Sequence, residues 1–417
     1  MSPALPEGIA WPASGAIDPT HAEVSRGRPF SLYIHVPFCT VRCGYCDFNT
    51  YTTGFGPGAE PGSYSTSVIA EARLARNILD QAGFAPRRAG TVFIGGGTPT
   101  LLDTAEIRAM LEGVREEFPW ETGAEVTIEA NPDSVDGPAL ENLAKAGITR
   151  VSFGMQSAVP YVLATLDRTH NPERLPDVTR WAREAGLSVS VDLIYGAPGE
   201  SVEDWRSSVE AALALDTDHI STYALVIEEG TRMWQQVRRG ELPEVDPDDE
   251  AAKYEIADSL LGEGGFTWYE ISNWARLHPT DDPMGTTDPH FSSRHNLAYW
   301  RDHDWWGLGP GAHSHCGRLR WWNVKHPSAY AGRVAQGLSP AAGGEILDDD
   351  SRELERIMLA IRTAQGVDIP SHISRSAIAS LIAQGLLEPG PALRGRAQLT
   401  LRGRLLCDTV TRILTDE

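Results

Sequence analysis

The sequence lacks three features that would place the protein in a membrane or outside the cell. Only five of its 417 residues are cysteine, too few for a disulfide framework in a chain of this length. No run approaches the ~18 consecutive apolar residues of a membrane-spanning helix. Residues 1–29 are rich in proline, alanine and glycine, but they contain no basic start followed by an apolar segment. These absences predict a cytoplasmic protein with no membrane span.

Basic residues are also in deficit. The chain has 36 lysine and arginine residues against 57 aspartate and glutamate residues, a net charge of −21. Such a surface repels phosphate backbones and anionic lipids, so neither nucleic acid nor an anionic membrane is expected as the main partner. The hydrophobic fraction of 41% is ordinary for a globular enzyme, and the length allows one large domain and one small one.

Three of the five cysteines fall within eight residues. Cys39, Cys43 and Cys46 have the spacing Cys-x3-Cys-x2-Cys and follow an apolar run. Three thiolates on one short loop can hold three corners of a 4Fe-4S cluster and leave the fourth iron open to an exchangeable ligand. The alternative is a structural zinc site, which usually brings a second Cys or His pair at short spacing. No second pair follows here.

Residues 30–226 alternate between short β-branched runs and helical segments, which predicts parallel strands joined by crossover helices. The predicted strands are 31–36, 91–94, 125–129, 150–154, 188–194 and 219–226. The predicted helices are 64–79, 104–118, 138–146, 172–185 and 202–215. Six such units predict the α/β class and, within it, a partial (β/α)6 barrel.

Unusual residues recur at the C-terminal ends of the predicted strands, where the ligands of β/α barrels bind. In chain order they are the cysteine loop, Gly95-Gly96-Gly97-Thr98, Glu129, Gln156, Asp192 and Ala224. Each alone has a structural explanation as a turn glycine, a helix cap or a satisfied amide. Their recurrence at one end of consecutive strands predicts a shared pocket.

Beyond residue 345 the pattern changes to a small, mostly helical domain with a winged-helix-like layout. It contains several arginines, but it begins with Asp348, Asp349 and Asp350, so packing is favoured over DNA binding. We therefore divide the chain into an N-terminal arm (1–29), a core barrel (30–265), a connecting region (266–345) and a C-terminal helical domain (346–417).

The cysteine loop, the Gly-Gly-Gly-Thr-Pro-Thr segment and the polar strand ends resemble the radical S-adenosylmethionine (SAM) superfamily. Within it, the chain from about residue 31 is similar to the oxygen-independent coproporphyrinogen III oxidase-like branch. The resemblance implies that Cys39, Cys43 and Cys46 hold a 4Fe-4S cluster. It further implies that Tyr33 and Tyr45 flank the methionine end of SAM, which Gly96, Gly97 and Thr98 approach through the backbone. Glu129 and Arg168 are implied to meet its amino and carboxylate groups. Gln156 and Asp192 are implied to reach the ribose, and Ala224 to lie near the adenine.

Two groups in this branch differ in function, and two features separate them. Coproporphyrinogen III dehydrogenases carry a fourth cysteine two residues after the third, where this chain has Phe48. HemW-type haem chaperones carry a His-Asn-x-x-Tyr-Trp signature, which His295, Asn296, Tyr299 and Trp300 match. Imidazole is a common haem ligand, and aromatic rings pack on a flat macrocycle. For His295 alone, a buried structural histidine is the competing explanation.

The resemblance thus implies a haem chaperone, which binds haem and delivers it to haem proteins such as respiratory enzymes, without coproporphyrinogen oxidase activity. The alternative is an oxygen-independent coproporphyrinogen III dehydrogenase, which decarboxylates a porphyrin precursor. A third class, nucleic-acid-modifying radical SAM enzymes, is disfavoured because the chain has no evident basic appendage. A homodimer is left open.

Overall fold

The computed structural model describes residues 8–52, 60–282 and 287–415. In the first part of the chain, strands and helices alternate as the sequence predicts. The strands are β1 (Phe30–Val36), β2 (Phe38–Cys39), β3 (Tyr51–Thr52), β4 (Ala89–Gly96), β5 (Trp120–Ala130), β6 (Arg150–Gln156), β7 (Ser188–Tyr195) and β8 (His219–Ala224). The helices are α1 (Pro61–Gln81), α2 (Thr104–Glu117), α3 (Gly137–Lys145), α4 (Pro160–Thr165), α5 (Leu175–Glu184), α6 (Val202–Ala214), α7 (Arg232–Arg238) and α8 (Pro247–Glu263). Short 3-10 helices lie at Pro19–His21, Pro99–Leu101, Pro132–Ser134 and Pro172–Arg174.

The second part of the chain adds further strands and two helices. The strands are β9 (Phe266–Glu270), β10 (Asn273–Arg276), β11 (Asp304–Leu308), β12 (His313–Cys316), β13 (Leu319–Asn323) and β14 (Ala341–Ile346), and the helices are α9 (Arg294–Trp300) and α10 (Pro327–Ala335). The C-terminal part contains α11 (Asp349–Ala360), β15 (Val367–Asp368), α12 (Arg375–Ala383), α13 (Pro389–Leu393), β16 (Arg396–Ala397), α14 (Leu401–Leu405) and α15 (Cys407–Thr415).

One sheet of twelve strands organises the molecule, in the order β14-β13-β12-β11-β1-β4-β5-β6-β7-β8-β10-β9. The strands from β11 to β8 run parallel to their neighbours, and the strands at both ends of the sheet are antiparallel. The six-stranded α/β core predicted from the sequence is confirmed. The sheet is wider than predicted, because β11 returns to pair with β1 and β10 pairs with β8.

The side chains of the parallel strands alternate between two environments. Leu32 and Ile34 on β1, like Val126 and Ile128 on β5, are buried in the core that also takes in the crossover helices. Burying one such side chain contributes about 1.5–3 kcal/mol. Intervening positions such as Thr127 carry polar side chains and face the interior of the curved sheet. The core therefore lies on the outer, helix-covered face of the sheet.

The connecting region continues the same sheet as the core. The predicted division at residues 265 and 266 falls between α8 and β9, and strands from both sides of it pair with one another. The described part of the N-terminal arm packs across the far end of this sheet. There Ile9 forms a β-bridge with Gly344, and Trp11 stacks on Trp321 with ring centroids 5.5 Å apart. Arg28 forms an ion pair with Asp304, the first residue of β11.

The C-terminal domain has a small core of its own, to which α11, α12 and α15 contribute. It is joined to the sheet beside β9: the amide of Ala364 donates to the carbonyl of Tyr269 at 2.8 Å. Arg404 pairs with Asp258 at 2.7 Å and lies 3.9 Å above the ring of Trp268. No helix in residues 8–52, 60–282 and 287–415 is long and apolar enough to cross a membrane.

A buried carboxylate fastens α1 to the second part of the chain. Glu71, on α1, accepts hydrogen bonds from the amide of Gly309 at 2.7 Å, the hydroxyl of Tyr330 at 2.6 Å and the amide group of Asn323 at 2.7 Å. Burial nevertheless raises the pKa of Glu71 from its ordinary 4.5 to about 7. The protonated form is therefore favoured in the folded protein more than in the unfolded one.

This shift predicts a pH dependence of stability. Because the folded chain binds the Glu71 proton more tightly, this group stabilises the fold fully below pH 4.5, and the contribution is lost as pH rises to about 7. The loss amounts to about 3 kcal/mol. Urea denaturation of the purified protein across this range should show it in the wild type. Glu71→Gln should flatten it, whereas the exposed control Glu116→Gln should not; an unchanged slope in Glu71→Gln contradicts the assignment.

Candidate functional site

The interior of the curved sheet encloses a cavity of about 430 Å³, within the range of ligand pockets. Its mouth lies at the C-terminal ends of the strands, where the exposed side chains of Val41, Phe48 and Val226 border it. Its deepest lining residues include Arg150, the first residue of β6. From Arg150 to Gln156 the strand rises roughly 20 Å, so the cavity extends along most of the barrel.

The cysteine loop lies across the mouth. It leaves β1, forms the short strand β2 and returns through β3, which pairs with β2. Cys39, Cys43 and Cys46 all line the cavity, and the amide of Cys46 donates to the carbonyl of Cys43 at 3.2 Å in a tight turn. No three His, Cys, Asp or Glu side chains of the described residues are placed to hold a single metal ion. The three predicted metal ligands therefore line one cavity, but their sulfur atoms do not surround a single point in this structure.

The glycine triplet after β4 allows this loop to pack closely on the barrel. A side chain at Gly97 would meet the carbonyl of Phe38 and lie 3.0 Å from the sulfur of Cys39. Gly96 has a φ of +113°, and a Cβ there would lie 2.6 Å from the imidazole of His35. Only glycine can adopt the positive φ at position 96 and allow the close approach of neighbouring atoms at positions 96 and 97 without strain.

The thiols lie in a poorly solvated place beside two arginines, Arg42 and Arg168. Burial raises the pKa of Cys39 to about 11 and also raises the pKa of Cys46. Arg168 donates to the sulfur of Cys43 at 3.6 Å and to the carbonyl of Gly154 at 3.1 Å. A buried guanidinium next to thiols favours their ionised, metal-binding form.

Two carboxyl groups line the middle of the cavity. Glu129 accepts from the amide of Gly96 at 3.0 Å, and Asp192 accepts from the hydroxyl of Ser152 at 2.9 Å. Burial, followed by the nearby charge of Asp192, raises the pKa of Glu129 to about 7. Burial also raises the pKa of Asp192. Protonation of Glu129 is therefore favoured in the folded protein more than in the unfolded chain.

Of the ten residues implied in SAM binding, all but one line the cavity. Gln156 follows a bulge in β6 and has a φ of +62°, a left-handed conformation that turns the chain at the cavity wall. Tyr45, Gly96, Gly97, Thr98, Glu129, Arg168, Asp192 and Ala224 line it as well. Tyr33 does not: its hydroxyl is hydrogen-bonded at 2.9 Å to His35, which in turn bonds the carbonyl of Asn49. Tyr33 therefore acts indirectly: it positions His35, which holds the end of the cysteine loop at Asn49.

The segment that carries His295, Asn296, Tyr299 and Trp300 forms α9, which packs against the start of β4 and the middle of β5. Glu125 on β5 accepts from the amides of Arg294 and His295 at the start of the helix. Asn296 lines the cavity, whereas the other three signature residues do not. Trp300 lies near Glu270 instead, and the side chain of Asn296 donates to Glu270 at 3.5 Å. This helix closes the deep end of the cavity.

His295 is held at both ring nitrogens. Nδ1 lies 2.7 Å from the hydroxyl of Thr91, Nε2 lies 2.9 Å from the hydroxyl of Tyr299, and the ring stacks on Phe93 at 5.1 Å. Burial lowers the pKa of His295 to about 3, so the imidazole is neutral. In this arrangement iron can reach His295 only if one of these hydrogen bonds is broken.

The cavity is also lined by residues that the motifs did not identify. They are Thr127, Arg150, Ser190, His219 and Ser221, which belong to four consecutive parallel strands. A signal for them was present in the sequence: the strands alternate polar and apolar residues, whereas parallel strands buried on both faces are usually apolar throughout. Alternation in a parallel sheet indicates a polar interior.

Comparisons with known proteins agree on the superfamily. The family model described as the Radical SAM superfamily matches residues 33–212. A protein named Heme chaperone HemW from Mycobacterium tuberculosis is 45% identical over 392 residues, 93% of this chain and 95% of the relative. The protein of that name from Escherichia coli strain K12 is 35% identical over 310 residues, 72% and 75% of the two chains. The solved structure of coproporphyrinogen III oxidase from Escherichia coli has a similar fold, with a TM-score of 0.78 over 97% of this chain and 96% of that one, at 22% identity.

The packing of the glycine triplet predicts the effect of one added methyl group. Gly97→Ala would press on Phe38 and Cys39, so we expect a loss of about 1–3 kcal/mol in the free energy of unfolding. Less iron should be incorporated on anaerobic reconstitution. Urea denaturation and iron analysis measure the two effects. Gly62→Ala, in α1 with open space around it, is the matched control; wild-type stability and iron content in Gly97→Ala would contradict the expectation.

Proposed function

Because this chain belongs to the radical SAM superfamily and, within it, to the HemW family of haem chaperones, we propose that it binds haem and delivers it to haem proteins. The barrel is proposed to bind a 4Fe-4S cluster and SAM. The observation that carries the proposal is the convergence on one cavity of the three cysteines, Arg168 and the signature residue Asn296.

The proposed cluster ligands are Cys39, Cys43 and Cys46. Three soft donors at the edge of one cavity fit an iron–sulfur centre, and Arg168 offsets the negative charge of the thiolates. When bound, the cluster supplies one-electron chemistry and an open iron corner for SAM. The protein around it partly excludes water from Cys39 and Cys46, because burial raises the pKa of both thiols.

The proposed SAM site follows the wall of the cavity towards its deep end. Arg168 suits the carboxylate, because a guanidinium pairs with it through two hydrogen bonds. Glu129 suits the amino group, and Asp192 with Gln156 suits the ribose hydroxyls. Tyr45, Gly96, Gly97, Thr98 and Ala224 are proposed as further contacts, while Tyr33 acts through His35.

The signature residues are proposed as the haem determinants. Asn296 can contact a ligand in the cavity directly, while His295, Tyr299 and Trp300 lie behind it. Ligation of iron by His295 requires the imidazole to exchange its hydrogen bond with Tyr299 or Thr91 for a bond to the metal. The neutral state of His295 is the state that binds iron.

The chain departs from the dehydrogenases at Phe48, whose exposed ring borders the cavity mouth where they carry a cysteine. An apolar ring cannot replace a thiol in chemistry, and it suits contact with an apolar macrocycle. Haem proteins such as respiratory enzymes are the proposed clients. All five cysteines are free thiols, which fits the reducing, cytoplasmic location that we propose.

The proposed function predicts haem binding without turnover. After anaerobic reconstitution, titration with haem should give saturable binding, and coproporphyrinogen III should not be decarboxylated in the presence of SAM and a reductant. Absorption spectra measure haem binding, and chromatography of the porphyrins measures decarboxylation. Robust decarboxylation refutes the chaperone assignment in favour of the dehydrogenase, and absence of haem binding refutes it outright.

The position of His295 yields a separate prediction. If it ligates iron, His295→Ala should change the haem absorption spectrum and weaken binding about tenfold or more. Tyr299→Phe should keep the ligand-bound spectrum, because it removes only the competing hydroxyl. His303→Ala serves as the control histidine, and iron–sulfur content reports correct folding. An unchanged spectrum and affinity in His295→Ala exclude ligation.

A further inference from the structure

Arg150 is a buried cation whose hydrogen bonds go to neutral groups. Its side chain donates to the hydroxyl of Ser190 at 3.0 Å and to the carbonyl of Phe291 at 2.9 Å. The remaining nitrogen, Nη2, is buried and has no hydrogen-bond partner among the described residues. The residue is only 4% exposed and lines the cavity. A charge removed from water without a counter-charge in direct contact is unfavourable by several kcal/mol.

Two other buried clusters of this chain contain paired ions. Lys253 has an ammonium group 3.2 Å from Glu200 and 2.6 Å from Asp249. The carboxylate of Asp304 pairs with two arginines, Arg28 and Arg87, each at 2.8 Å. In both clusters the counter-charge comes from the chain itself. At Arg150 the unpaired nitrogen belongs to a residue that lines the cavity, where a ligand can supply the missing charge.

Two more polar atoms near Arg150 are unpaired: Thr127 is its neighbour on β5, and His219 is the neighbour of Ser190, to which Arg150 donates. Nδ1 of His219 and the hydroxyl of Thr127 are buried without a hydrogen-bond partner in the described chain, and both residues line the cavity. We call Arg150, His219 and Thr127 the floor group. Its three unpaired atoms form a set that a ligand oxygen or oxygens could satisfy.

The distribution of charge along the cavity favours an anion beside the floor group. Glu129 and Asp192 lie one inward position nearer the mouth than Thr127 and Ser190 on the same strands. An anionic group would be repelled by those carboxyl groups in the middle of the cavity and attracted by Arg150 below them. The aromatic ring of Phe93 also lines the wall and offers apolar contact to the body of a ligand.

We propose that the floor group binds a carboxylate of the haem that this protein carries, namely one of its propionates. This inference rests on the proposed function. Haem combines a flat apolar ring with carboxylates at its edge, and a guanidinium with two neighbouring polar atoms is the chemistry that recognises such a carboxylate. Ser293 and Asn296, which line the cavity from the α9 side, would then lie beside the bound edge of the porphyrin.

The test uses the reconstituted full-length protein and three porphyrins: haem, metal-free protoporphyrin IX and haem dimethyl ester, in which the propionates are blocked. Arg150→Gln should weaken binding of haem and protoporphyrin IX about tenfold to hundredfold and leave the affinity for the ester unchanged. Arg150→Lys should retain part of the preference for free propionates. Arg294→Gln, which alters an exposed arginine of α9, should behave as the wild type.

The wild type alone supplies a comparison that no folding defect can disturb. It should bind haem more tightly than the dimethyl ester; equal affinities overturn the inference while leaving haem binding intact. If Arg150→Gln loses SAM affinity while porphyrin binding is unchanged, Arg150 binds the carboxylate of SAM. That result also overturns the inference that Arg150 binds a propionate. If the wild type binds no porphyrin at all, the proposed function itself has failed.

Discussion

The strict two-residue alternation of side chains along parallel strands is the constraint on which the rest of this structure depends. On β1 it places Leu32 and Ile34 against the helices and leaves Tyr33 and His35 for the opposite face. In β/α barrels with a packed interior, that second face carries bulky apolar side chains. Here it carries hydroxyl, carboxyl, imidazole and guanidinium groups, so the interior stays open and polar. The stability of the fold comes from the outer face, and the inner face is available for ligands.

Close backbone packing connects this barrel to the cysteine loop. The amide of Gly97 donates to the carbonyl of Val36, and the amide of Thr98 donates to the carbonyl of Phe38. These bonds join the turn after β4 to the start of the cysteine loop. The other end of the loop is fixed through Asn49, whose carbonyl meets His35 and whose side chain donates to Pro310 at 2.9 Å. The loop that carries the thiols is therefore anchored at both ends to the first strand and to the chain beyond β11.

Buried charge in this protein has two uses that differ in their partners. The Lys253 and Asp304 clusters are complete in themselves, so they fix the relative positions of distant segments, and removal of one partner would leave an uncompensated ion. Arg150 and Arg168 line the cavity and are held mainly by neutral or sulfur atoms. They stand near the two ends of the cavity, with Glu129 and Asp192 between them. This arrangement favours ligands that carry negative groups at their edges and neutral or cationic groups in the middle.

The sequence by itself determined the features that depend on neighbours along the chain. Local alternation indicated the six core strands, and the spacing of Cys39, Cys43 and Cys46 placed three thiols on one loop, because short-range pattern and turn chemistry act within a few residues. Only the tertiary structure decided that β11 pairs with β1, that both nitrogens of His295 are engaged, and that Arg150 and His219 line the same cavity. These depend on strand register and on contacts between residues tens to hundreds of positions apart, which no local pattern encodes.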